Sequence, residues 1–380
     1  MADIPATNIR RFWFTLHRWI GASLAALLIP ISLSGALLVW HEQIEALLNP
    51  QRYAVTGSQI LPPSAYLESA ARSLEGGATP ISVRLPGQAS PVIVAARGRD
   101  AEGRPRLMNV YIDPPTARVL DIVDFRSTFF GVLHRFHENL TVPEYSGRAI
   151  VGWVGVGMAT LALTGIWLWW PRGTSSFVRG LRWARSPRFT FNLHHLLGFW
   201  ISIPLAVVSL TGIYLAFPQT ARDMMSSVAA MNPQAQRGGF GRQIAQQTAL
   251  TADRALDIAL RANPNAKVSA LFVPTQERGE RVSAWRAQMR SDTKDEVTVM
   301  VDDRSGQASV LAPQAGDRAA SWIRWIHDGS RGGPLWSVVV FLTGAFPTVF
   351  AVTGIIMWLR KRSGSKVVKE SPETQLNPAE

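Results

Sequence analysis

The sequence predicts an α-helical membrane protein: four transmembrane helices in two tandem repeats, with an α+β module between the helices of each repeat. Three observations carry that fold class. Four long stretches, Trp19–Trp40, Ala149–Trp170, Leu196–Phe217 and Leu335–Leu359, are apolar and free of Asp, Glu, Lys and Arg. The stretch FTLHRWIGASLAALLIPISLSGALLVW from Phe14 is echoed by FNLHHLLGFWISIPLAVVSLTGIYLAF from Phe191. The two segments between the apolar stretches also repeat one order of helix-like and strand-like patterns.

Each apolar stretch reaches the roughly 20 residues that an α-helix needs to cross a hydrocarbon core about 30 Å thick. Backbone polar groups in lipid must be satisfied internally, so the lipid bilayer is the first partner implied. The first stretch is longer than a signal-peptide core, and no small-x-small cleavage site follows LLVWHEQIEALLNP. It reads as an uncleaved anchor.

Flanking charge sets the orientation. Arg10, Arg11 and Arg18 precede the first helix, and Arg172, Arg179, Arg182, Arg185 and Arg188 follow the second. Arg360, Lys361 and Arg362 follow the fourth. By the positive-inside bias these flanks and both termini are cytoplasmic. The expected boundaries are a tail 1–18, helix 19–40, outer module 41–148, helix 149–170, inner loop 171–195, helix 196–217, outer module 218–334, helix 335–359 and tail 360–380. Trp13, Trp19, Trp167, Trp169, Trp170 and Trp358 crowd the inner interface, where amphipathic rings are favoured. The net charge of +12 is therefore mostly topology, and no nucleic-acid partner is expected.

Each outer module opens with an amphipathic helical pattern, Pro63–Leu74 in one and Ala252–Ala262 in the other. Strand-like runs follow: ISVRLP, PVIVAARG and LMNVYIDPPTARVL, then KVSALFVP, RVSAWRAQM and VTVMVDDRSGQASVL. Period-2 alternation with Asp, Pro and Gly turns predicts short antiparallel sheets with hairpins. The copies run in the same direction, which implies an axis along the membrane normal. Helices one and three should then face each other across it, as should helices two and four.

The chain has seven histidines and no cysteine. Thiolate metal sites, iron–sulfur clusters and covalently attached c-type haem are thereby excluded. One constant offset pairs His17 with His194, Gly21 with Gly198 and Gly35 with Gly212. His134 and His137 stand before helix two, and His327 before helix four. Duplication thus yields two histidine levels at two depths, each with one histidine from each half. That arrangement can clamp a planar cofactor between two axial ligands, as haem iron takes imidazole. His194 matches His17 better than His195 does. His137 matches His327 a little better than His134, which shares its helical face. A zinc site lacks the third and fourth ligands at either level. His41 has no counterpart and reads as interfacial.

Glycine supplies a second clue. Gly35 and Gly212 lie about 27 Å beyond His17 and His194 at 1.5 Å per residue, near the outer face. Gly165 and Gly354 lie near the inner face. These four SG/TG steps are expected to make room for a porphyrin, close helix packing by small residues being the alternative.

LHRWIG with SGALLVW, FHENL with GRAIVG and TGIWLW, LHHLLG with LTGIYLAF, and IHDGSRGG with TGIIMWL resemble the PepSY-associated transmembrane family. The resemblance spans essentially the whole chain and extends to ferric-siderophore reductases of the FoxB type. It implies PepSY-like periplasmic modules, a bacterial inner-membrane location and two b-type haems, with axial histidines at His17, His137, His194 and His327. It also implies oxidoreductase activity: electrons from a quinol or a cytoplasmic reductase reach a periplasmic ferric siderophore. The additional His134 and the doublet His194–His195 depart from the pattern. No NAD or flavin site is expected, since GWVGVGMATLALTG lies inside an apolar helix rather than at a strand–turn–helix. Arg324, Arg331 and DGSRGG stand beside His327 as possible contacts for an anionic chelate, or as interfacial anchors. The stretch ARDMMSSVAAMNPQAQRGGFGRQ reads as a linker. Two rivals remain in the sequence: a PepSY-type binding or regulatory protein without redox chemistry, and a transporter of siderophore or iron. The charge-free helices count against proton-coupled transport.

Overall fold

A computed structural model of the chain describes residues 6–86, 90–170, 189–232, 243–244, 248–276, 284–291 and 296–367. Of the expected inner loop 171–195, residues 171–188 lie outside the described residues and 189–195 are helical, and residues 233–242 of the expected linker also lie outside them. The chain divides into two compact units.

The first unit comprises Met1–Val39, Leu133–Ala221 and Ile323–Glu380. Its four long helices are α1 (Ala6–Val39), α5 (Gly147–Trp169), α6 (Phe189–Ala216) and α10 (Gly333–Val367). All four are long and apolar enough to cross a membrane, and each buries a third or less of its most apolar window. Helices that stay apolar on exposed faces are solvated by lipid, so this is a membrane protein. The helices run beyond their apolar runs, which places His17 inside α1 rather than at its mouth. Each of α1 and α6 packs against both α5 and α10, so α1 lies diagonally opposite α6.

Small residues allow this packing. A Cβ on Gly344 would lie 3.0 Å from Ala36 Cβ and 3.0 Å from the Ser32 carbonyl oxygen. A Cβ on Gly155 would lie 3.2 Å from Ile213. Close backbone approach replaces the hydrophobic drive that lipid removes. Buried hydroxyls donate along their own helices, Thr343 to Val339 and Thr353 to Val349 at 2.7 Å each. Trp169 departs from the expected interfacial belt: it is buried, with its ring 4.1 Å from that of Phe199.

Two shorter helices lead into α5 and α10. Helix α4 (Phe129–Asn139) reaches α5 through residues 140–146, where Leu140, Thr141 and Ser146 adopt left-handed backbone at φ 55°, 60° and 58°. Helix α9 (Ala315–Asp328) reaches α10 through Gly329 and Gly333, at φ 76° and 74°. Glycine tolerates that region without a Cβ clash. The glycine-rich DGSRGG is thus, first, the turn that sets α9 against α10.

The second unit comprises Trp40–Val132 and Arg222–Trp322. Among the described residues it holds α2 (His41–Leu48), α3 (Pro63–Ser73), α8 (Ala252–Ala262) and ten strands. β1 (Thr79–Arg84), β2 (Val92–Arg99), β3 (Pro105–Ile112) and β4 (Val119–Asp124) come from the first segment. β6 (Ala266–Phe272), β8 (Trp285–Ser291), β9 (Glu296–Val301) and β10 (Ala308–Leu311) come from the second. β5 (Gln243–Ile244) and β7 (Thr275–Gln276) make a separate pair. The two segments do not form separate sheets. β1 pairs antiparallel with β6, giving one eight-stranded sheet in the order β10-β9-β8-β6-β1-β2-β3-β4. Joining the two quartets removes two exposed edges, which would otherwise invite wrong pairing.

Val92, Val94 and Ala96 of β2 alternate inward, as do Trp285, Ala287 and Met289 of β8. All of these except Ala96 pack with Tyr66 of α3 and Ala255 and Ala259 of α8 in one core. The acidic hairpin turns are tied down in parallel ways. Asp113 accepts from Thr56 N at 2.7 Å and Thr116 Oγ1 at 2.5 Å. Asp303 accepts from Ala249 N at 2.7 Å and Trp285 Nε1 at 2.9 Å. The start of the expected linker is helical instead: α7 spans Pro218–Val228, and its Ala221 is buried.

Candidate functional site

Four histidines converge in pairs inside the first unit. His17 of α1 meets His194 of α6 with ring centroids 6.4 Å apart. His137 of α4 meets His327 of α9 at 6.2 Å. The other members of each cluster turn away. His195 lies between the rings of Phe191, at 5.5 Å, and Trp169, at 5.8 Å. His134 is more than half exposed, its Nδ1 3.8 Å from Glu138. His41 packs edge-on to Phe130 at 6.1 Å in the second unit.

Each paired imidazole is oriented through Nδ1. His17 Nδ1 lies 2.8 Å from Thr164 Oγ1, and His194 Nδ1 lies 2.9 Å from Thr353 Oγ1. His137 Nδ1 lies 2.9 Å from the Ile31 carbonyl and 3.2 Å from Ser34 Oγ. His327 Nδ1 lies 3.0 Å from the Val208 carbonyl and 3.3 Å from Thr211 Oγ1. A carbonyl only accepts, so Nδ1 of His137 and His327 carries the proton and Nε2 keeps its lone pair. Burial first, and His327 second, pushes His137 down to about 4, and burial lowers His327 as well. Both stay neutral, the form that binds metal.

The four expected glycines stand beside these rings. A Cβ on Gly35 would lie 2.6 Å from His137 Cε1, and one on Gly212 would lie 2.9 Å from His327 Cε1. A Cβ on Gly165 would lie 3.7 Å from His17 Cε1, and one on Gly354 would lie 3.8 Å from His194 Cε1. At Gly35 and Gly212 the missing Cβ makes room for an imidazole rather than for a separate ring.

Sequence reasoning passed over the hydroxyl in each SG or TG step. Ser34, Thr164, Thr211 and Thr353 all precede these glycines, and all four hydroxyls face a paired histidine's Nδ1. The dipeptide itself was the signal: the glycine leaves space beside the ring and the preceding hydroxyl orients it.

A cavity of about 470 Å³ surrounds the His17–His194 pair. Gly21, Gly165, Gly198 and Gly354 line it, one from each long helix, with Arg10, Arg18 and mostly apolar side chains. Its volume suits an organic cofactor. Among the described residues no three His, Asp or Glu side chains converge as a metal-ion site. Two imidazoles, each with Nδ1 already engaged, are what the chain offers at each level. Imidazole nitrogen binds a metal at about 2.0–2.1 Å, so opposed axial rings have centroids about 6 Å apart. The observed 6.4 and 6.2 Å fit that requirement. The donor set therefore suits a planar tetradentate metal complex such as haem.

Arg324 is exposed, and the Arg331 guanidinium lies 3.5 Å above the Trp325 ring. Arg331 thus makes an aromatic contact of the kind expected for an interfacial anchor. Residues 14–361 match the family model described as PepSY-associated TM region. No curated protein sequence matches the chain.

Proposed function

The chain belongs to the PepSY-associated transmembrane family, and from that premise we propose that it is a di-haem b-type ferric-siderophore reductase. The observation that carries the proposal is the two imidazole pairs, with ring centroids 6.4 and 6.2 Å apart and every ring fixed through Nδ1. His17 and His194 hold one haem and His137 and His327 the other. Bound there, haem iron supplies a one-electron ferric/ferrous couple.

The chain's own groups do the rest. Thr164 and Thr353 at one level, and the Ile31 and Val208 carbonyls at the other, fix ring rotation and make the axial nitrogens better donors. The apolar helix faces exclude water from between the two levels. In the net reaction one electron per ferric ion passes from a quinol or a cytoplasmic reductase to a periplasmic ferric siderophore. The ferrous product binds hard oxygen ligands less tightly, which releases the iron.

Two tandem repeats account for the paired levels. In this reading the membrane is the bacterial inner membrane, with both termini cytoplasmic and the eight-stranded unit periplasmic. Arg324 and Arg331 stand near the acceptor side, where an anionic chelate approaches.

The test is the visible spectrum of the purified full chain with haem counted against protein. Two haems are expected, with split α and β bands after dithionite. His17→Ala and His327→Ala should each lose one haem. Protein from haem-replete cells that carries none contradicts the proposal. Reoxidation of the reduced protein by a ferric siderophore under anaerobic conditions tests the acceptor, and persistent reduction would favour another.

A further inference from the structure

The cavity around His17 and His194 has a polar end that ring ligation alone does not use. Arg18, adjacent to His17, and Arg10, two turns earlier on α1, both line it. Among the described residues no acidic side chain lines this cavity, and neither arginine forms an ion pair. Arg10 Nη2 donates to the carbonyl of Leu168, another lining residue, at 3.1 Å. Arg18 Nε is buried without a hydrogen-bond partner, and its guanidinium is 5.8 Å from the Trp19 ring centre. Elsewhere the cavity is lined by residues such as Leu28, Met158, Ala162, Leu205 and Phe350.

A cationic group half-withdrawn from water with no anion beside it is unfavourable, and an anionic ligand group would relieve it. The lining therefore selects a ligand that is apolar over most of its area and anionic at one edge. We propose that Arg18, assisted by Arg10, forms the carboxylate-binding edge of this cavity and turns the acidic edge of the haem towards α1. The inference rests on the haem reading of the His17–His194 level and adds an orientation to it. The matching position in the second repeat, beside His194, is His195, which stacks between Phe191 and Trp169. The two sides of the cavity thus differ, and the acidic edge has one preferred direction. Arg18 touches the periphery of the cofactor, so it positions the ring and biases its charge balance.

The test uses the full chain in detergent, stripped of haem and titrated with either haem b or its dimethyl ester. Ligation by histidine is common to both probes, whereas only haem b carries carboxylates. Wild type should bind haem b at one site about tenfold more tightly than the ester, the scale of a charge-assisted hydrogen bond. Arg10→Gln/Arg18→Gln should bind both probes alike, and Arg18→Lys should keep most of the preference. Equal preference in wild type and the double variant overturns the proposal.

A second readout avoids reconstitution. In potentiometric titration of protein purified with its cofactor, Arg18→Gln should lower the midpoint potential of one centre and leave the other in place. Losing a nearby cation favours the ferric form. Two unmoved centres overturn the proposal. If wild type takes up neither probe and His17→Ala changes nothing, the haem reading itself fails, and the inference fails with it.

Discussion

Gly35 and Gly354 both follow a hydroxyl residue in SG and TG steps, yet their surroundings predict opposite results. A Cβ at Gly35 meets His137 at 2.6 Å, closer than real contacts, so the ring must leave its place beside α1. A Cβ at Gly354 stands 3.8 Å from His194, an ordinary contact. Gly35→Ala should therefore lose about half of the bound haem while Gly354→Ala keeps it, read by haem stoichiometry on folded protein. Equal retention in both would show that the His137 ring is not seated against α1 as described. The histidines themselves were legible in the sequence, because the echo between the two halves made each one predict its partner. The choice between His194 and His195 needed one constant offset. The margin between His137 and His134 was narrow, since a one-residue difference between the connections blurs the offset there. The second layer was less legible: the SG or TG step marks a hydroxyl beside a glycine, but the histidine it meets lies on a different helix.

At the scale of elements, the bundle depends on turns that hold α4 and α9 against the long helices. Gly329 sits at φ 76°, where a Cβ is strained even though Ser337 Cα, at 3.4 Å, would be in ordinary contact. Gly329→Ala should destabilise the protein by about 1–2 kcal/mol through left-handed strain. The loss should appear as a lower thermal midpoint with reduced occupancy at the His137–His327 level. An unchanged midpoint would contradict the turn geometry. The four apolar helices were readable from composition alone, because lipid demands an unbroken run. Their ends were not, since α1 continues through Arg10 and Arg11, whose charges a long side chain can carry to the interface. The joined sheet was hidden for a different reason. β1 and β6 are far apart in the chain, and period-2 alternation specifies which face is buried without naming the neighbour across an edge.

At the scale of the whole molecule, the paired levels and the membrane-spanning helices make one functional argument. Diagonal helices α1 and α6 bring one histidine each to the centre, and α4 and α9 bring the other two to a second level. From His17 to Gly35 along α1 is about 27 Å, so the levels stand at well-separated depths. A chain built this way can keep a donor and an acceptor on opposite sides of a membrane. The measurement closest to that claim is low-temperature electron paramagnetic resonance of the oxidised full-length protein. The His17–His194 planes cross at 77° and the His137–His327 planes at 38°. Near-perpendicular axial rings leave the iron dπ orbitals almost degenerate, whereas rings closer to parallel split them. The account predicts two low-spin ferric signals, one highly anisotropic and removed by His17→Ala, the other rhombic and removed by His327→Ala. A single signal unaffected by either substitution, or no low-spin iron at all, would contradict it.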